Sequence, residues 1–402
     1  MEKVNLYKVL DNIKIILFFV YIVAVYIFGG DSEKIRYSEI ILIAFMVLEV
    51  IKIIKTKKIK FPIPIIVIFI FAFYCFLSNF WAIESNLSIT ISRTLFLLGV
   101  FVLLSYNFFR EITNGQEVLL KTIMWAGIVF SIYVILYYGV GEYFTKMLNG
   151  ERVGKEINNV NAIGLQTSIS FIIAIFYALY DNKKKYYMLS IIPLIVSLGT
   201  GSRKVIILII IGTILLFLLK REEKIDILKT MKKILLFIIF VFAFVYISKM
   251  PMFSTVFERL ETATNFVTGE GKIDDSTAIR ALYVNAGMKQ FLENPIFGIG
   301  AGNAGYITMK ANGTFTYLHN NFVELLATTG IIGFILYYSI YVYIIWNCIK
   351  LLKKNKYINV ALILFLINLI LDYGLVSYYS KNTYIYILLG LITIRKVKKN
   401  EV

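Results

Sequence analysis

Apolar stretches of about twenty residues recur along nearly the whole chain, and that spacing leaves few folds open. A hydrocarbon layer of roughly 30 Å is crossed by about twenty residues of helix. Lipid offers no partner to a bare backbone, so each crossing segment must satisfy its own N–H and C=O groups as a helix. The stretches read, approximately, as 13–29, 38–54, 61–77, 88–109, 118–140, 160–180, 186–199, 203–219, 232–248, 321–349, 357–373 and 380–394. Of the 402 residues, 59% are hydrophobic and 17% charged, whereas a soluble domain is about half apolar and a quarter charged. The expected fold class is an all-α polytopic membrane protein with about 12 transmembrane helices. The chain reads as a single integral membrane domain, 1–402, with its largest connection at 250–320. The first stretch follows Lys3, Lys8 and Lys14 and ends in Gly29-Gly30-Asp31 without a small-residue cleavage site, so it is expected to be retained.

Charge then orients the spans. With alternating connections, the N-terminal lysines, the Lys52–Lys60 cluster, Lys183 to Lys185, the bases from Lys220 to Lys233, Lys350 to Lys356 and the Arg395–Lys399 tail all fall on one face. The formal charge of +17 sits there, as the positive-inside rule asks of a cytoplasmic face. Both termini are therefore expected in the cytoplasm. Lysines that flank spans set topology, which argues against nucleic acid as a partner. Cys75 and Cys348 lie in apolar stretches near opposite faces, too far apart for the roughly 7 Å Cα separation of a disulfide.

Arginine is distributed differently. Six of the nine, Arg36, Arg93, Arg152, Arg203, Arg259 and Arg280, fall on the opposite, extracytoplasmic face. A guanidinium makes forked bonds to phosphate and carboxylate that an ammonium cannot. Ser202 precedes an apolar run as an N-cap candidate, which puts Arg203 in the first turn of a helix whose start carries partial positive charge. Snorkelling at the interface is the plainer alternative for Arg203. In the large connection, Asp274 to Thr277 supply caps for a short helix that carries Arg280 and stops at Asn294-Pro295. The only histidine, His319, opens HNNFVELL, where Asn320 or Asn321 can cap a further helix and Glu324 lies one turn on. An imidazole with an ordinary pKa near 6.5 accepts a proton at neutral pH. Gly300 to Gly305 fits a dinucleotide-loop spacing, but no strand precedes it, so its glycines are read as close backbone turns. One histidine and no cysteine cluster give no metal site.

Three stretches together resemble the O-antigen ligase and O-antigen polymerase superfamily of bacterial membrane glycosyltransferases. They are Arg280 with NPIFGIGAGN (294–303) and HNNFVELLATTGIIGFILYY (319–338), then Leu198-Gly199-Thr200-Gly201-Ser202-Arg203, and more weakly Arg152-Val153-Gly154 with Asn161. The chain departs at Thr328-Thr329, where an acidic residue often precedes the glycine, which bears on acceptor contacts. The resemblance implies a GT-C-like fold with its core at 199–349 and short helices in the 250–320 loop. It implies no cofactor and an inverting, metal-independent transfer at an extracytoplasmic site of the bacterial cytoplasmic membrane. The donor would be an undecaprenyl-diphosphate-linked oligosaccharide. Arg203 and Arg280 would hold the diphosphate and His319 would serve the acceptor hydroxyl, with Arg152, Asn161, Ser202, Asn320 and Glu324 contacting substrate. A polysaccharide polymerase of the capsule or O-antigen type is the expected activity, with a flippase and a chain-length regulator as companions. The alternatives are a ligase that passes glycan to lipid A core, a transporter or lipid flippase, and a non-catalytic scaffold. A transporter would carry charge deep within spans; by sequence only Glu49 and Arg93 approach that, both near span ends.

Overall fold

The computed structural model describes residues 2–31, 33–220, 275–352 and 354–399. Regular structure among them is helical: α1 (Glu2–Phe28), α2 (Ile35–Thr56), α3 (Ile63–Leu77), α4 (Ser85–Phe109), α5 (Gly115–Tyr138), α6 (Val140–Leu148), α7 (Val160–Tyr180), α8 (Lys185–Gly199), α9 (Arg203–Leu219), α10 (Asp275–Glu293), α11 (Ala304–Asn312), α12 (Asn321–Leu351), α13 (Lys356–Asp372) and α14 (Lys381–Lys399). The expected span 232–248, the acidic residues Glu270 and Asp274, and Arg259 lie outside the described residues. Every other expected span coincides with a helix. Six are long and apolar enough to cross a membrane: α1 from Lys8, α3 extended to Phe80, α4, α5, α7 and α12. These make the chain a multi-pass membrane protein. Helices α9 and α13, at 17 residues each, reach only about 25 Å.

The described helices fall into two compact units, 1–45 with 120–273 and 46–119 with 274–402. In the first, α7 is apolar on all sides and 89% of its most apolar stretch is buried, as a central helix must be. Small residues let its neighbours close in. Gly127 on α5 faces Ser170, whose Oγ donates to the Met124 carbonyl at 2.6 Å, and Thr167 meets Ser197 on α8 at 2.8 Å. Tyr180 donates to the Leu216 carbonyl of α9 at 3.1 Å.

The second unit is built around a break in α12. Gly330 adopts φ 63° and ψ −171°, a conformation open to glycine alone. An unbroken helix would pair the Ile331 N–H with the Ala327 carbonyl. Here Ile331 N–H donates to the Pro295 carbonyl at 2.9 Å, and the Ala327 carbonyl accepts from Ile299 N–H at 3.1 Å. Both halves of the lost bond are thus re-paired by one segment, the glycine-rich run after α10, so the break leaves these two groups satisfied within an apolar helix. A Cβ at Gly330 would stand 2.1 Å from the Ile296 carbonyl oxygen, and one at Gly298 would stand 2.4 Å from the Thr328 carbonyl carbon. The close backbone turns expected of this run are thus made against protein. Gly330→Ala is expected to cost roughly 3 kcal/mol or more from strain and clash together. A thermal melt of the purified variant in detergent measures it; an unchanged midpoint would mean that the break is not needed.

Candidate active site

In the first unit, the turn between α8 and α9 is clasped by the segment before α7. Arg152 donates through Nε to the Thr200 carbonyl at 3.0 Å and through a terminal nitrogen to Asn161 Oδ1 at 3.2 Å. Val153 N–H donates to the Gly199 carbonyl at 3.0 Å, and Gly201 at φ 58° brings the turn against the aliphatic stem of Arg152. Asn159 caps α7 by accepting from Asn161 N–H at 2.9 Å, which fixes the amide that Arg152 reaches. Ser202 holds the N-cap position of α9 and is buried, but its side chain makes no capping bond; its carbonyl serves Val205 and Ile206 instead. Arg203 follows as the first residue of α9, half-buried.

Beside this clasp opens a hydrophilic cavity of about 600 Å³. Its wall includes Asp31, Arg152, Lys155, Glu156, Asn158, Asn159 and Asn161. Glu156 accepts from the Tyr138 hydroxyl, and that bond holds its carboxyl below the usual range. Tyr138 also accepts from Gly154 N–H at 3.0 Å, so one phenol fixes both sides of the loop. The sequence reading brought Arg152, Asn161, Ser202 and Arg203 together, and it missed Tyr138 and Glu156.

The second unit holds the other candidates. Arg280 and Tyr283 sit three positions apart on α10 and share a face. The Tyr283 ring lies parallel to His319, with centroids 6.2 Å apart and 5° between planes. Tyr317 closes on the histidine from another side at 4.1 Å. Tyr283 is itself fixed, donating to Asn312 Oδ1 at 3.0 Å. One turn along, a Cβ on Gly287 would meet Leu318 and Val323 at 2.7 Å, so α10 seats directly on the segment that carries His319.

Arg280 is half-buried and forms no ion pair among the described residues. Its guanidinium acts on Tyr317. Burial pushes that phenol above its ordinary value, Arg280 draws it back, and Glu324 pushes it further up. Tyr379, in the turn between α13 and α14, is likewise held up by burial and by Glu324 and Tyr317. Arg280, Tyr283, Tyr317, His319 and Tyr379 therefore form one neighbourhood.

His319 takes a left-handed backbone, φ 57°, unusual outside glycine. The bonds around it hold that geometry. Glu324, buried, accepts from Leu318 N–H at 2.8 Å, and Asn320 caps α12 by accepting from Val323 N–H at 3.0 Å. The sequence reading gave Asn320 and Glu324 to substrate; in the structure their side chains hold the backbone on either side of the histidine. Thr328 and Thr329 are buried and donate to the carbonyls of Glu324 and Leu325, at 2.6 and 2.7 Å.

Asn321 continues inward into a polar cluster that the sequence did not reveal. Its amide reaches Tyr338 at 2.9 Å and Asp372 at 3.4 Å, and its carbonyl oxygen accepts from the backbone of Ser377 and Tyr378. Asp372 also accepts from Tyr338 at 2.9 Å and from Ser377. Asp372, the last residue of α13, and Glu324, in the first turn of α12, are thus buried carboxyls at helix ends, which leaves the expectation about charge deep within spans as it stood.

The family model described as O-antigen ligase matches residues 188–338. The matched stretch contains Ser202, Arg203, Arg280, His319, Asn320 and Glu324, and begins after Arg152 and Asn161. A search of curated proteins found no match. This match over residues 188–338 supports the O-antigen ligase and polymerase superfamily that the sequence motifs resemble.

Proposed function

We propose that the chain is an extracytoplasmic polysaccharide polymerase of the capsule or O-antigen type. It transfers a glycan from undecaprenyl diphosphate to a hydroxyl of an acceptor repeat unit, with inversion and without a metal. The observation that carries this reading is a guanidinium three residues from the ring that stacks on the sole imidazole of the chain. In the reaction, the acceptor oxygen attacks the anomeric carbon as the bond to the diphosphate oxygen breaks. The hydroxyl proton passes to His319, and the negative charge that develops on the diphosphate is assigned to Arg280 and, on the family resemblance alone, to Arg203. Fixed cations aimed at developing charge are the largest single contribution available to such a site. Arg152 and Asn161, beside the 600 Å³ hydrophilic cavity, are assigned to the saccharide.

In this reading, Asn320 and Glu324 act by fixing the backbone around His319, and Ser202 by setting the start of α9. The topology that goes with it has about 12 spans. Its termini lie in the cytoplasm, its 250–320 connection lies outside, and its core is 199–349 within one membrane domain of the bacterial cytoplasmic membrane. A flippase and a chain-length regulator are the companions such a polymerase needs.

The test is to supply the purified chain with a prenyl-diphosphate-linked repeat and a chelator. A ladder of products still on the prenyl carrier supports the polymerase. Products found only on a lipid A core acceptor would make the chain a ligase, and no transfer would sink both. His319→Ala is expected to slow transfer roughly 10²–10⁴-fold, the range for losing a positioned base. A variant with the wild-type rate across the pH range would remove His319 from that role.

A further inference from the structure

A second cavity, of about 450 Å³, opens in the 46–119 with 274–402 unit, where the apolar stretch of α14 gives way to its basic end. Three cations, Arg395, Lys398 and Lys399, line it together with the phenols of Tyr106 and Tyr343 and an apolar floor that includes Leu391. Among the described residues, no carboxylate lines this cavity. The carboxylate of Glu111 in the same unit is already shared by Lys52, at 2.9 Å, and Arg110, at 3.5 Å. Lys398 is held in place by donating to Asn347 Oδ1 at 2.7 Å. The Nε of Arg395 is enclosed and has no hydrogen-bond partner among the described residues, while the guanidinium reaches the Tyr106 phenol by a side-chain hydrogen bond. One enclosed guanidinium N–H still open to an acceptor, in a cavity with three cations, suits an anionic ligand.

The apolar floor says which anion. Val342 and Trp346, which flank Tyr343 on α12, are exposed, and they offer hydrocarbon chains a path beside the cavity. A basic pocket among membrane helices, floored by leucine and ringed by tyrosine, matches a phosphate carried on acyl chains better than a soluble one.

We propose that this cavity binds the head group of an anionic phospholipid. The site is separate from the proposed transfer chemistry and does not depend on it. Native mass spectrometry of the full chain, with phosphatidylglycerol or phosphatidylcholine added to the detergent micelle, tests it. The wild type is expected to retain phosphatidylglycerol at least about fivefold better, and R395Q/K398Q to lose that preference, each lost cation weakening retention about fivefold. K398Q/K399Q, which alters only exposed side chains, serves if the first variant does not purify, and the same loss is expected of it. Equal retention of the two lipids by the wild type, or an undiminished preference in the variants, overturns the proposal. Inorganic phosphate at millimolar concentration is the remaining arm. If it raises the melting temperature as much as phosphatidylglycerol does, the site takes a soluble anion and the lipid assignment falls.

Discussion

Arg280→Ala is expected to halt chain growth and leave single repeat units on their prenyl carrier, with the protein still present in the membrane. The side chain stands half-buried on α10, forms no ion pair among the described residues, and acts electrostatically on the half-buried Tyr317 phenol. Its removal should therefore unpack little while withdrawing a charge-assisted donor from the neighbourhood of the imidazole. Losing one donor to developing negative charge lowers turnover by about 10²–10³-fold. Gel separation of lipid-linked products, with membrane abundance measured alongside, checks the result. Wild-type chain lengths from this variant would take the leaving group away from Arg280.

Arg203→Lys carries the second largest effect, and it asks whether geometry or charge matters. Lys204 already supplies an ammonium at the start of α9, so if charge alone served the diphosphate the substitution would be mild. A lysine cannot make the parallel pair of bonds that a guanidinium makes to phosphate oxygens. The expected outcome is a fall in polymer of roughly 10²-fold at unchanged membrane abundance, close to the cost of a full donor. A Lys variant that makes polymer of normal amount and length would reduce Arg203 to an interfacial anchor.

Much of this architecture was legible in the residues. The apolar stretches expected at 160–180 and 203–219 coincide with α7 and α9 end to end, because turn residues or a charged run bound them on each side. The Asn294-Pro295 stop and the Thr200–Ser202 turn were readable for the same reason: proline and glycine act locally, whatever packs around them. What remained hidden depends on partners distant in sequence. The break at Gly330 lies inside a continuous apolar run, and hydropathy does not register a helix that hands two backbone groups to a loop thirty-odd residues earlier. Tyr283 reads as one more apolar position on α10 until His319 is placed against it. Asp372 lies at the edge of an apolar stretch, where a charge reads as a terminus; only the approach of Asn321 and Tyr338 turns it into a buried centre. The cap that Asn320 makes to Val323 was open to reading from its place before an apolar run, whereas the bond from Glu324 back to Leu318 N–H was not.

The re-paired bond in α12 has a mechanical consequence. Helix α10 grips α12 and the segment that leads into it twice: at the middle of α10, where Tyr283 and Gly287 seat against residues 318–323, and just past its end, where residues 295–299 splice into the gap around Gly330. A beam pinned at two points can neither pivot nor slide against its support. The distance from the Arg280 backbone to the imidazole is therefore set when the polypeptide folds, like a jaw whose gauge is already cut.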